Sequence, residues 1–414
     1  MKTNVGRASS ISYRFFELVL ILYLLHSVPV IGLITPAALF AVIMVLLFVC
    51  AYFQFGAKSF FEYFYRTIPL SIVFYLDFIR SLFSSEATLL LDIYLYLQII
   101  ILLIIGQHII KTNDLRLAKH LYYIILIMYV VTAVTTYLGC LVYPEAARDL
   151  ASSISSDDPF LYNLYRRLNI GGFSFIYTLV LLIPLFVGKL RNKFGNRLLC
   201  ILVMFVFFMT IIGSQYTTAL LLSVFSFFLL FASRKFDKRK CYTFLIVFFF
   251  LFIITKSVLP LLLQTITNYI DSRIVASRLG DLSSLLSNDD DIGSIGANSD
   301  VDIRYLLMKK SWNSFLDSPL WGSWNLKTIG NHSYFLDNLA LYGLLGLVAY
   351  LALWLGFYRL YWKRNEKKNW FGFFFFGFIF SMVLSFLNPH IFYTYLGFMV
   401  PIFMVIYKSK TVQP

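Results

Sequence analysis

The chain has 414 residues, of which 59% are hydrophobic and only 14% charged, and its mean hydropathy is +0.77. A soluble globular chain carries about 25% charged residues, so this composition excludes an ordinary soluble enzyme and points to an all-α polytopic membrane protein. The formal charge of +14 is spread through short segments between apolar runs, where it reads as a topology signal and as contact with anionic headgroups, and this excludes a nucleic-acid partner.

Twelve apolar runs follow in order, at 15–33, 37–55, 68–83, 89–110, 120–142, 171–188, 198–213, 217–232, 241–263, 335–358, 370–387 and 391–407. A membrane helix needs about 20 apolar residues. The third run is the weakest, because Asp77 and Arg80 interrupt it. Lys2, Arg7 and Arg14 precede the first run, and no small-residue cleavage site follows it, so an uncleaved first helix is expected. With the N-terminus in the cytoplasm, every inside connection carries at least two Lys or Arg, at 58–66, 111–119, 189–197, 234–240 and 359–368, as does the tail at 408–410. An error of one helix would invert that pattern downstream, so both termini are expected inside. The four cysteines, Cys50, Cys140, Cys200 and Cys241, lie in or beside apolar runs without Cys-x-x-Cys spacing, and read as apolar filler.

Two outer connections are long. The first, 143–170, ends in Arg166-Arg167-Leu168-Asn169-Ile170-Gly171-Gly172, a basic pair before a helix start. Such a start binds anions; the competing reading is a snorkelling interfacial pair. The second, 265–334, divides a membrane region of nine helices (1–264) from one of three (335–414, with the tail). It contains helix-like spacing over 265–287, a Ser/Asn/Asp/Gly connector over 287–302, and a second helix over 303–316 stopped by Asp317-Ser318-Pro319. An aromatic turn, Trp321-Gly322-Ser323-Trp324, then leads to Asn331-His332-Ser333-Tyr334.

This loop carries the candidate chemistry. Arg273, Arg278 and Arg304 offer planar, permanently charged forks that match phosphate oxygens, although the loop holds more acids than bases and surface pairing competes with that role. His332 is one of five histidines, and imidazole moves protons near neutral pH. Its neighbours, a basic loop before it and a Gly-marked apolar helix after it, set it apart from His26, His108, His120 and His390. Asp289-Asp290-Asp291 falls in the flexible connector on the outer face, where nucleotide sugars are absent; neither a metal nor a cofactor is expected.

The order of these elements resembles the bacterial O-antigen polymerase and O-antigen ligase superfamily. Arg304-Tyr305-Leu306-Leu307, then Pro319-Leu320-Trp321-Gly322, then His332-Ser333-Tyr334-Phe335-Leu336 and Gly343-Leu344-Leu345-Gly346 match that family's outer loop and following helix in sequence. There are departures: Ser333 stands where Asn usually follows the histidine, Leu341 where a Glu is common, and Ser214-Gln215 where the family, its ligases especially, often has Ser-Arg. The resemblance implies a GT-C-like membrane glycosyltransferase of about twelve helices in the bacterial inner membrane, with its site on the periplasmic face. The implied reaction passes a growing glycan from undecaprenyl pyrophosphate to the non-reducing end of another lipid-linked repeat unit. His332, Arg304 and Arg278 would be catalytic, and Arg273, Arg166, Arg167, Asn331 and Tyr334 would bind substrate. The partners it implies are the lipid-linked oligosaccharide, membrane lipids, a chain-length regulator and a flippase. Two other readings stand beside it: a ligase using the same donor, and a polytopic transporter, against which the lack of internal repeats argues.

Overall fold

The computed structural model of the protein describes residues 10–83, 89–150, 158–192, 196–231, 236–243, 246, 300–366, 368 and 370–411. Every regular element among these residues is helical. In chain order they are α1 (Ser10–Leu25), α2 (Pro29–Ile34), α3 (Ala37–Phe55), α4 (Ala57–Thr67), α5 (Ile72–Phe83), α6 (Leu89–Thr112), α7 (Leu115–Val142), α8 (Ala146–Asp149), α9 (Pro159–Arg167), α10 (Phe173–Arg191), α11 (Arg197–Gly213), α12 (Thr217–Phe228), α13 (Asp300–Asp317), α14 (Tyr334–Phe357), α15 (Phe371–Leu387) and α16 (Val400–Thr411). Five stretches are long and apolar enough to cross a bilayer: Ala37–Phe55, Ile93–Thr112, Leu115–Val142, Phe173–Arg191 and Tyr334–Trp362. The chain is therefore a helical membrane protein.

The expected runs and the helices agree closely at 37–55, 120–142, 198–213 and 370–387, and differ where proline intervenes. The run at 15–33 divides after Leu25, because Pro29 opens α2 and holds Val28 in an extended conformation. The run at 68–83 begins with a 3-10 turn, Ile68–Leu70, around Pro69, and only Ile72–Phe83 is α-helical. Two connections prove helical as well. In α4, Phe60, Tyr63 and Thr67 fall on one buried face, and α9 starts at Asp158, whose carboxylate caps Leu161 N–H at 3.0 Å, with Pro159 in the first turn. The expected ninth helix, 241–263, lies outside the described residues except for 241–243 and 246.

The chain forms two compact units. One comprises Met1–Leu179, Phe205–Ser214 and Phe392–Pro414, the other Val180–Met204 and Gln215–Ile391. In the first, Gly106 of α6 lies against the backbone of Gly397 with no room for a side chain, and the Tyr122 and Phe403 rings meet edge to face at 5.2 Å. In the second, Phe371, Phe373, Phe374 and Phe376 of α15 are completely buried, and the Trp362 and Phe378 rings lie 4.5 Å apart. In a bilayer such contacts hold helices together by packing rather than by hydrophobic exclusion from water.

Candidate functional site at the α13–α14 junction

The second unit gathers most of the described candidate residues. α14 opens at Ser333, whose hydroxyl accepts the Leu336 N–H at 3.2 Å. Serine and asparagine are both favoured in this capping position. Asn331 is exposed and takes a left-handed conformation, φ 56°, which asparagine tolerates better than most residues. It turns the chain so that His332, half-buried, precedes the helix.

Asp337 holds this turn. Its side chain is buried, and one carboxylate oxygen accepts the Ser311 hydroxyl at 2.6 Å while the other accepts the Ser333 N–H at 3.2 Å. The backbone N–H groups of Asn331 and His332 also donate to this carboxylate. Ser311 in turn accepts the Gly330 N–H at 2.8 Å, and Gly330 sits against the Leu307 carbonyl, too close for any side chain. The His332 turn is therefore fixed upon the 307–311 segment of α13. Arg304, half-buried, lies three residues from Leu307, about 4.5 Å along the helix axis at 1.5 Å per residue. It shares a face of α13 with Ser311, two turns further on.

A second lock fixes α13 against the membrane helix. The expected helix at 335–358 is broken at Gly343, with φ 58° and ψ −138°. That region is essentially confined to glycine. The break strips the Ala340 and Leu341 carbonyls of their helical partners, and they accept the N–H groups of Ser323 (2.9 Å) and Trp324 (3.0 Å). Leu344 N–H, newly exposed at the start of the second helical half, donates to the Pro319 carbonyl at 2.9 Å. The orphan groups created by the break are thus satisfied by the turn that follows α13. The two sequence elements Pro319-Leu320-Trp321-Gly322 and Gly343-Leu344-Leu345-Gly346, separate in the chain, are one structural joint. A Cβ at Gly343 would lie 2.6 Å from both Pro319 O and Leu320 C. Gly343→Ala is expected to cost about 1–3 kcal/mol for the backbone conformation alone, read as a lower melting temperature in detergent. An unchanged melting temperature would mean that the joint is not held as described.

Tyr334, half-buried, begins α14, and its N–H donates to Asn388 O beyond α15 at 3.0 Å. Arg273, Arg278 and Asp289-Asp290-Asp291 lie outside the described residues.

In the first unit, the basic pair separates into two environments. Arg166 binds inward: Nη1 donates to the Tyr162 hydroxyl at 2.9 Å, and Nη2 and Nε donate to Pro29 O at 3.3 and 3.4 Å. It ties α9 to α2. Arg167 is exposed. Asn169, buried with φ 56°, joins Thr132 and Thr135 of α7 to Val30 of α2. Burial, reinforced by the neighbouring Asp149 carboxylate, raises the Tyr165 phenol above its ordinary range. Arg166 thus ties α9 to α2, and Arg167 is the exposed member of the pair.

Of the junction residues, sequence chemistry singles out Arg304 and His332, and not Ser311 or Asp337. A readable signal was present, since Asp337 lies four residues after the capping Ser333, close to the spacing by which an acidic side chain reaches back to a helix start. Together Ser311, Asp337 and Ser333 seat the turn that carries the half-buried His332 on α13, the helix that also carries Arg304 and is joined to a membrane span. The molecule is thus a multi-pass helical membrane protein with a polar site built on the element preceding α14. Comparison with known protein families, with curated proteins and with solved structures gives no match to this chain.

Proposed function

We propose that the protein is a membrane polysaccharide polymerase that transfers a growing glycan from undecaprenyl pyrophosphate to the non-reducing-end hydroxyl of a second lipid-linked repeat unit. The observation that carries this reading is the anchoring of the His332 turn to α13 through Ser311 and Asp337, with α13 itself locked to the span through the Gly343 joint. In the reaction, the acceptor oxygen bonds to the anomeric carbon as the bond from that carbon to the pyrophosphate breaks. The hydroxyl proton passes to His332, and undecaprenyl pyrophosphate leaves. Arg304 and Arg278 stabilise the charge that develops on the leaving group, and Arg273, Arg167, Asn331 and Tyr334 contact substrate. Twelve spans, cytoplasmic termini and an outward-facing site in the inner membrane complete the reading, since both substrates keep their lipids in the bilayer.

In proteoliposomes supplied with lipid-linked repeat units, Arg304→Ala is expected to abolish polymer, and Arg304→Lys to rescue poorly, because a lysine cannot replace a bidentate fork. Full activity in the alanine variant would exclude Arg304 from the reaction. A ligase would instead need lipid A core or a protein acceptor, so polymer formed without either discriminates the two.

Orientation is tested separately. Asn325 and Lys368 are both exposed, and the native cysteines are buried or half-buried. On intact cells, an impermeant thiol reagent should label Asn325→Cys and spare Lys368→Cys. Labelling of Lys368→Cys alone would invert the topology.

A further inference from the structure

α13 has a third role that its sequence position conceals. Ser311 and Arg304 occupy the face turned to α14. About 100° around the helix, Tyr305, Trp312 and Leu316, spaced i, i+7 and i+11, form an apolar stripe that the protein leaves open. They are 60%, 44% and 56% exposed, and the stripe continues past the helix end into Leu320 and Trp321, 61% and 67% exposed. Further round, Lys309, Lys310, Asn313, Ser314 and Asp317, with Leu306 as one apolar residue among them, line an open groove of about 480 Å³ that Thr328 closes on the other side. One helix therefore carries a protein-facing, an apolar and a polar face.

The joint at Gly343 identifies what covers the apolar face. Leu344 bonds to Pro319, so Leu320 and Trp321 sit where the second half of α14 begins. From that point α14 exposes Leu344, Val348, Leu351 and Leu355, at i, i+4, i+7 and i+11. In a membrane-spanning helix such a stripe faces lipid. The open stripe of α13 is continuous with it through Leu320 and Trp321. Its composition is that of an interfacial element, with two tryptophans and a tyrosine for the headgroup region and Lys309 at its border, able to extend its ammonium to lipid phosphates.

We propose that α13 lies in the bilayer interface, with Tyr305, Trp312, Leu316, Leu320 and Trp321 in the lipid of the leaflet that α14 enters, Lys309 at the phosphates, and the Lys310–Asn313–Asp317 face in water. The partner is the lipid surface itself. The element floats the His332 turn at a fixed depth, but the inference does not depend on the glycan chemistry and stands or falls apart from it.

The test uses the full chain in nanodiscs of phosphatidylethanolamine and phosphatidylglycerol. Nitroxides placed singly at Tyr305→Cys, Leu316→Cys and Leu320→Cys should collide more with oxygen than with a water-soluble nickel chelate, and the ratio should invert at Lys310→Cys and Asn313→Cys. Chelate-dominated collisions at all five positions would overturn the proposal. A second measurement needs no substitution. Hydroxyl radicals generated in water should oxidise Trp321 and Trp312 more slowly than the half-buried Trp324, although the protein itself covers Trp324 more. Rates that follow protein exposure, with Trp321 fastest, would place the stripe in water and sink the idea.

Discussion

His332→Ala is expected to lower polymer formation by about 10²- to 10⁴-fold, the usual worth of general base catalysis, with single lipid-linked repeat units accumulating. The half-buried ring stands at the head of α14 on a turn held by the Ser311 and Ser333 bonds to Asp337, and His332→Ala leaves those bonds in place while it removes a proton acceptor. Donor binding should survive, since the proposed cations are separate groups. His332→Gln separates two roles, because glutamine keeps a hydrogen-bonding group at this position and cannot take up a proton near neutral pH. If His332 is the base, the glutamine variant in a purified system falls as far as the alanine variant. If it makes polymer at the normal rate, the imidazole only orients the acceptor. Asp337, the nearest carboxylate in the sequence, is then no substitute, because both its oxygens already accept hydrogen bonds.

Hydropathy made most of the membrane helices legible, because an apolar run of sufficient length has one economical fate in a bilayer. The same averaging hid what proline and glycine do within a run. Pro29 and Pro69 interrupt apolar stretches that a window reads as continuous, and Gly343 breaks one whose residues on both sides are apolar. At the Gly343 break the decisive contact is the hydrogen bond from Leu344 N–H to Pro319 O, 25 positions earlier in the chain, and no local pattern announces it.

The candidate site was legible as a set of residue types in order and not as a geometry. Arg304 and His332 could be singled out by chemistry, and the structure adds the contact of Gly330 with Leu307 that brings their segments together. The pair at 166–167 illustrates the converse. Sequence treats two adjacent arginines alike, whereas helix geometry turns Arg166 inward to Pro29 and Tyr162 and leaves Arg167 exposed.

Asp337→Asn is expected to reduce turnover while the protein still inserts, because the carboxylate is the common acceptor of the turn that carries His332. An amide presents one oxygen where the carboxylate presents two, and its NH2 faces donors. At least one of the Ser311, Asn331, His332 and Ser333 donors then loses its partner, and each buried group left unsatisfied costs about 1–3 kcal/mol. Ser311→Ala should act in the same direction and more weakly, since it frees only the Gly330 N–H and one carboxylate contact. Lower turnover alone would not separate positioning of His332 from general destabilisation. A double-mutant cycle does so. If Asp337 acts through His332, Asp337→Asn lowers kcat in the native background and lowers it no further in His332→Ala, because the group being positioned is already gone. Equal losses in both backgrounds, at equal amounts of inserted protein, would make Asp337 a prop of the fold with no particular tie to the histidine. Full activity of Asp337→Asn would show that the turn keeps its shape without the carboxylate, and that its capping by Ser333 and its seat on Leu307 are sufficient.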